Sequence, residues 1–155
     1  MSTQTAAAPQ YSAAQERALK LFVVLTRASN ALHRKLNERI DLHDLTLTEF
    51  GILEALYHKG PLLLGDVQRK ILLSSGGVTY TVDRLAEKGL VERRECASDR
   101  RARYAALTPK GEALISEIFP SHADQITDLM SVLSSKEQGE LVDLLKRLGL
   151  SAASE

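Results

Sequence analysis

From Ala13 to Ile40 the chain contains neither Pro nor Gly, and Leu19, Phe22, Val23, Thr26, Asn30, His33, Leu36 and Ile40 recur at steps of three and four. That period predicts one long helix. Thr46-Leu47-Thr48-Glu49 resembles a capping start, with Thr46 or Thr48 accepting from the first free N–H groups. Phe50, Leu53, Leu56 and Tyr57 then repeat at helical spacing until Lys59-Gly60-Pro61. A short helix follows with Leu64, Val67 and Ile71 on one face. Ser74-Ser75-Gly76-Gly77 forms a turn and a cap, after which Val78, Val82 and Leu85 mark an inward face that ends at Gly89.

The texture then changes. Leu90-Val91-Glu92-Arg93-Arg94 and Arg103-Tyr104-Ala105-Ala106-Leu107 are strand-like runs around the polar loop Glu95 to Arg101, a hairpin. Thr108 caps a further helix with Pro109 at its first position, where the missing N–H costs nothing. This helix is expected to reach about Met130 or Leu133, either running through Pro120 or interrupted there. Ser134 or Ser135 caps a last helix carrying Leu141, Leu144, Leu145 and Leu148.

The expected fold is mainly α with a small β-hairpin. Residues 45–108 form a winged helix-turn-helix lobe, flanked by long helices over 13–44 and 109–150 within a single domain, 13–150, after a disordered lead, 1–12. The outer helices have no partner within so small a lobe. Their stripes, Leu19 on the first and Leu141, Leu144, Leu145 and Leu148 on the last, are expected to pack together and against a second copy, giving a symmetric homodimer.

Composition narrows the class. With 155 residues, 44% apolar, the chain is long enough to bury a core without disulfides or metal, and its one cysteine forbids an internal bridge. The longest apolar runs fall far short of the roughly 20 residues a membrane span needs, and the first ten residues lack the pattern of a secretion signal. A cytoplasmic location without a membrane partner is expected. Net charge is zero, yet residues 66–110 carry 10 basic and 6 acidic side chains against 3 and 8 in residues 111–155. A local positive patch is what phosphate attraction needs, and remote acids do not cancel it beyond a Debye length of about 8 Å.

If Val78, Val82 and Leu85 face inward, Gly76, Tyr80, Asp83, Arg84 and Glu87 lie opposite, with Thr79 at the edge. Such a helix suits a major groove: Ser74, Ser75, Gly76 and Gly77 bring backbone to phosphate, Thr79 and Tyr80 reach base edges, and Arg84 adds charge. Arg93, Arg94, Arg100, Arg101 and Arg103 cluster within eleven residues at the hairpin, where Arg100 and Arg101 can enter a minor groove and Asp99 can pose one of them. An amphipathic helix beside a solvated charge run is the plainer account of each feature alone. Their adjacency favours DNA contact.

Asp99-Arg100-Arg101 followed by Leu107-Thr108-Pro109-Lys110-Gly111, together with Leu85-Ala86-Glu87-Lys88-Gly89-Leu90-Val91, resembles the MarR family of dimeric winged-helix transcriptional regulators over residues 15–150. Leu47-Thr48-Glu49-Phe50, Tyr57-His58-Lys59-Gly60, Lys70-Ile71-Leu72-Leu73-Ser74-Ser75-Gly76 and Val78-Thr79-Tyr80 are similar to its MhqR-like branch, which responds to hydroquinones and quinones. The resemblance implies a homodimeric repressor on a pseudopalindromic double-stranded DNA operator, released by a small phenolic or quinone-like effector bound where the dimerisation helices meet the DNA-binding lobe. Some thiol-sensing relatives carry a cysteine near the start of the first long helix; this chain has none there.

Its only thiol, Cys96, stands among wing arginines that favour thiolate, the form that adds to quinones or is oxidised. It is a candidate sensor or an incidental surface cysteine. His33, Phe22, Phe50 and Tyr57 are candidates for an aromatic-ligand pocket, with interface or core packing as the ordinary alternative for each. None of the four histidines has zinc-site spacing, and neither a metal nor a cofactor is expected. The rival classes are a winged helix that binds protein and an enzyme using Cys96. The latter lacks a histidine near Cys96 in sequence to act as base.

Overall fold

The computed structural model describes residues 10–40, 43–70, 77–99 and 101–153. The expected inward Ile71 and the Ser74-Ser75-Gly76 cap lie outside them, as do Arg100 and residues 1–9 of the expected lead. The chain divides into two compact units, one ending at Lys35 and one starting at Leu36.

Helix α1, Ala13–Ile40, is the predicted long helix. Its start is set by Ser12, whose Oγ accepts the Gln15 N–H at 3.2 Å while Gln15 Oε1 accepts the Ser12 N–H at 2.8 Å. Two otherwise orphaned donors are thereby satisfied. In the first unit Leu19, Leu21, Phe22, Val23 and Val24 are exposed.

In the second unit α2, Leu47–Lys59, begins with the capping box the sequence suggests: Thr46 Oγ1 accepts from Glu49 N at 3.1 Å, and Glu49 Oε2 accepts from Thr46 N at 2.8 Å. Its buried face is Phe50, Ile52, Leu53 and Leu56. Gly60 at φ 75° stops it, a left-handed conformation that glycine adopts without strain. The Pro61 run holds an unpredicted two-residue strand, β1, Leu62–Leu63, before α3, Leu64–Lys70. Helix α4, Val78–Glu87, leads into β2, Val91–Glu95, and β3, Arg103–Leu107.

The sheet order is β1-β3-β2, antiparallel throughout, with Val91 opposite Leu107 and Leu62 opposite Ala105. So short a β1 carries no periodicity of its own, and its pairing with β3 is visible only in three dimensions. The core joins α2, α3, α4 and the sheet through Phe50, Leu53, Val67, Val82, Leu85, Leu90, Val91 and Ala105, with Ile115 and Ile118 from α5, Pro109–Met130.

Of the two courses open at Pro120, helix α5 takes the unbroken one. Proline removes one backbone hydrogen bond, but Ile118 and His122, buried on either side of it, anchor the helix to the core. A last helix, α6, Ser135–Ala152, starts from a second capping box at Ser134 and Glu137. No residue of α6 is buried, and Leu141, Leu144, Leu145 and Leu148 stand 40–53% exposed.

The entry to α5 is the tightest passage in the lobe. Thr108 Oγ1 donates to Gly89 O at 2.6 Å and accepts from Gly111 N at 3.0 Å, and a Cβ on Gly111 would lie 2.0 Å from Leu90 O. Backbone on both sides leaves no flexible group to yield. Gly111→Ala is therefore expected to destabilise the protein by at least about 1–3 kcal/mol, read from the midpoint of urea unfolding; an unchanged midpoint would contradict this packing.

Candidate nucleic-acid interface

Helix α4 buries Val78, Val82 and Leu85 at 6%, 0% and 0% exposure, which turns Thr79, Tyr80, Asp83 and Glu87 outward. Tyr80 is 66% exposed, an unusual state for an aromatic ring with no structural task. The N-cap is Gly77 at φ 83°, which supplies no side-chain acceptor. The first N–H groups of α4 therefore take no cap from it, and the backbone can come close to a surface. Arg84, one turn beyond Tyr80, lies half-buried along the same face.

Beneath this helix lies a residue the sequence reading placed only as a helix start. Glu49 is 1% exposed. Its Oε2 accepts from Lys88 Nζ at 3.1 Å besides its cap contact, and its Oε1 stands 3.5 Å from Arg84 Nε. Lys88 also donates to Asp44 O at 2.5 Å. The start of α2 is thus bound to the far end of α4 by two cations on one carboxylate. Glu at the third helical position advertises a capping box, but no periodicity reveals that the same carboxylate meets α4.

The hairpin distributes its arginines unequally. Arg93 Nη2 pairs with Asp83 Oδ1 at 2.6 Å, joining β2 to α4; Arg94 pairs with Glu92 at 2.7 Å, and Arg103 with Glu95. Three of the five clustered arginines are thus paired with acids on the same lobe. The Asp83–Arg93 pair joins facing elements and the Glu95–Arg103 pair joins adjacent strands, which sequence order conceals, whereas Glu92 and Arg94 lie two apart on one strand. At the tip, Asp99 Oδ1 accepts the Arg101 amide at 2.9 Å and Asp99 O accepts the Ala102 N–H at 3.0 Å. Asp99 therefore shapes the turn. Arg101 is exposed and makes no ion pair among the described residues.

The candidate ligand residues divide between the two units. Phe22 is 68% exposed and His33 half-buried, both in the first unit. Phe50, at 1% exposure, packs in the core and borders a small cleft with Ile118 and His122. Its ring lies 4.4 Å from His122, which continues through Phe119 at 6.4 Å to Tyr57 and His58. Tyr57 borders an open cleft of about 260 Å³ with Leu56, Gly60, Pro61, Arg94, Ala106, Leu107 and Glu112. Cys96 is half-buried at the end of β2, its Sγ 3.0 Å from Ser98 Oγ. That hydrogen bond, with the Ser98 and Asp99 backbone amides, holds its pKa below the usual thiol range. Among the described residues no group of acids, histidines and cysteine is placed to hold a metal, and no helix is long and apolar enough to cross a membrane.

Helices α3 and α4, the paired strands β2 and β3 and the strap β1 define a winged helix-turn-helix lobe with an outward-facing second helix. Comparison with known proteins identifies its kin. The MarR family model matches residues 43–102. The HTH-type transcriptional regulator MhqR of Bacillus subtilis is 46% identical over 137 residues, covering 88% of this chain and 94% of that protein. Among solved structures, Bordetella bronchiseptica BpsR, whose DNA binding is regulated by 6-hydroxynicotinic acid, is 29% identical with a TM-score of 0.74, covering 84% of this chain and 98% of its own. A mutant of E. coli MarR complexed with operator DNA is 25% identical with a TM-score of 0.76, over 88% and 99% of the two chains. The chain belongs to the MarR family and is a DNA-binding transcriptional regulator.

His122, only 7% exposed and with no hydrogen-bond partner for Nδ1 among the described residues, has its pKa lowered by burial. The folded chain resists a proton that the unfolded chain accepts below about pH 6.5. Stability present above that pH is lost as the pH falls below it. Urea midpoints measured from pH 7.5 to 5.5 should fall for the wild type and fall less for His122→Phe; equal slopes would exclude His122 as the source.

Proposed function

We propose that the protein is a homodimeric, cytoplasmic repressor that holds a pseudopalindromic DNA operator and releases it when a small phenolic or quinone-like compound binds or modifies it. The observation that carries this is the outward face of α4, with Thr79 and Tyr80 presented on a helix whose other side is fixed in the core, beside a wing tip carrying exposed Arg101. Thr79 and Tyr80 would read base edges in the major groove, with Ser74, Ser75, Gly76, Gly77 and Arg84 on the backbone, while Arg100 and Arg101 would enter the flanking minor groove.

The homodimer is supported by the uncovered leucines of α6 and the exposed Leu19 of α1, since contiguous apolar side chains at helical spacing seldom remain in water. A two-fold dimer would set half-sites about one helical turn apart. The effector class is supported by similarity to the MhqR-like branch and by the hydroxylated aromatic acid that regulates BpsR. His33, Phe22 and Tyr57 remain ligand candidates. Cys96 supports thiol modification as a second route to release, through its hydrogen-bonded and acidified sulfur.

Fluorescence anisotropy on the DNA flanking its own gene tests the reading. Tight binding should weaken steeply with salt, and Arg101→Ala should cost about 1–3 kcal/mol. Loss of binding on adding a substituted hydroquinone or its quinone is expected; indifference to both would remove the effector class while leaving the DNA assignment. If the thiol is the sensor, Cys96→Ser abolishes release by the quinone. In sedimentation equilibrium Leu144→Glu should shift the protein from dimer to monomer, and an unchanged mass would refute the α6 interface.

A further inference from the structure

We propose that Glu49 is a positioning residue for DNA recognition, acting through Arg84. The inference rests on the reading that α4 enters the major groove.

The carboxylate is buried to 1% exposure, and its two oxygens are divided between two cations of the α4 end. Oε2 accepts from the Thr46 amide and from Lys88, whose Nζ is also tied to Asp44 O. Oε1 has no hydrogen-bond donor, and Arg84 Nε at 3.5 Å is its only facing cation among the described residues. Lys88 is shared with the Asp44 carboxylate at 3.8 Å, so Arg84 is the second cation of a group of two acids and two bases.

Guanidinium is planar, with its five N–H groups in a rigid fork. Engaged through Nε, Arg84 keeps the Nη groups for another anion, and its side chain remains 43% exposed. Tyr80 stands one turn earlier on the same helix face, 66% exposed. Glu49 thus holds the guanidinium from behind, so its outer edge stands beside the candidate base-reading residue. A side chain fixed before binding loses less freedom on binding, which strengthens the complex without a new contact. Asp83 cannot take this role, because it is engaged by Arg93 of β2.

The test is a double-mutant cycle by anisotropy on the operator duplex and on a scrambled duplex of equal length, using the full chain. Glu49→Gln removes the charge but keeps a capping-box residue at the third position of α2, and circular dichroism verifies its fold. It should weaken binding to the operator and to the scrambled duplex alike, about three- to tenfold, because a phosphate contact reads no sequence. In an Arg84→Ala background, itself ten- to hundredfold weaker, the same change should have almost no further effect. Equal losses in both backgrounds would overturn the proposal, since a merely structural carboxylate weakens binding whether or not Arg84 is present. If Glu49→Gln does not fold, Arg84→Lys decides. Its single ammonium cannot serve carboxylate and DNA through separate edges, so it should bind nearly as weakly as Arg84→Ala; wild-type affinity would overturn the proposal. A wild-type chain that binds neither duplex would overturn the DNA reading itself and this inference with it.

Discussion

Burying a carboxylate is costly unless charge and hydrogen bonds meet it. Glu49 is met by its own helix start, by Lys88 and by Arg84. This constraint fixes where α4 lies against α2, because the carboxylate is fully buried only where both cations of the α4 end reach it. The apolar contacts of Val82 and Leu85 with the core provide the bulk of the cohesion but little direction. The ion pair supplies a register. Removing one partner of such a group leaves an uncompensated charge, so the arrangement tolerates few intermediates.

From that junction the lobe extends in two directions. Toward the wing, Arg93 and Asp83 tie β2 to the outward side of α4, and Thr108 joins Gly89 to the start of α5. Toward α5, an aromatic row from Phe50 through His122 and Phe119 to Tyr57 and His58 fills the space beside α2. Helix α4 is therefore held at both its inner and outer edges, while the wing tip is shaped locally by Asp99. Rigid support beneath and adjustable charge at the tip suit a protein that must match one surface and contact another.

Much was legible in the sequence because it rests on local chemistry. The inward face of α4, the Ser134 start of α6 and the Thr108-Pro109 entry to α5 follow from helical period and capping, which act within a turn or two. The exposed leucines of α6 were equally legible as a stripe in search of a partner. The family resemblance, carried by the wing and the entry to α5, agrees with the comparisons across most of the chain.

Long-range pairing was not legible. Strand β1 exists because β3 offers it an edge, α5 crosses Pro120 because Ile118 and His122 are packed, and Phe50 belongs to the core because His122 closes over it. In the folded lobe Asp83, Glu92 and Glu95 engage Arg93, Arg94 and Arg103, while Arg101 makes no ion pair among the described residues. By itself the sequence determined the elements, their caps and the kind of surface each presents, since periodicity and capping are encoded by near neighbours. Only the tertiary structure decided that Asp83 meets Arg93 and that Glu49 holds the α4 helix, since these pairs depend on how separate elements pack.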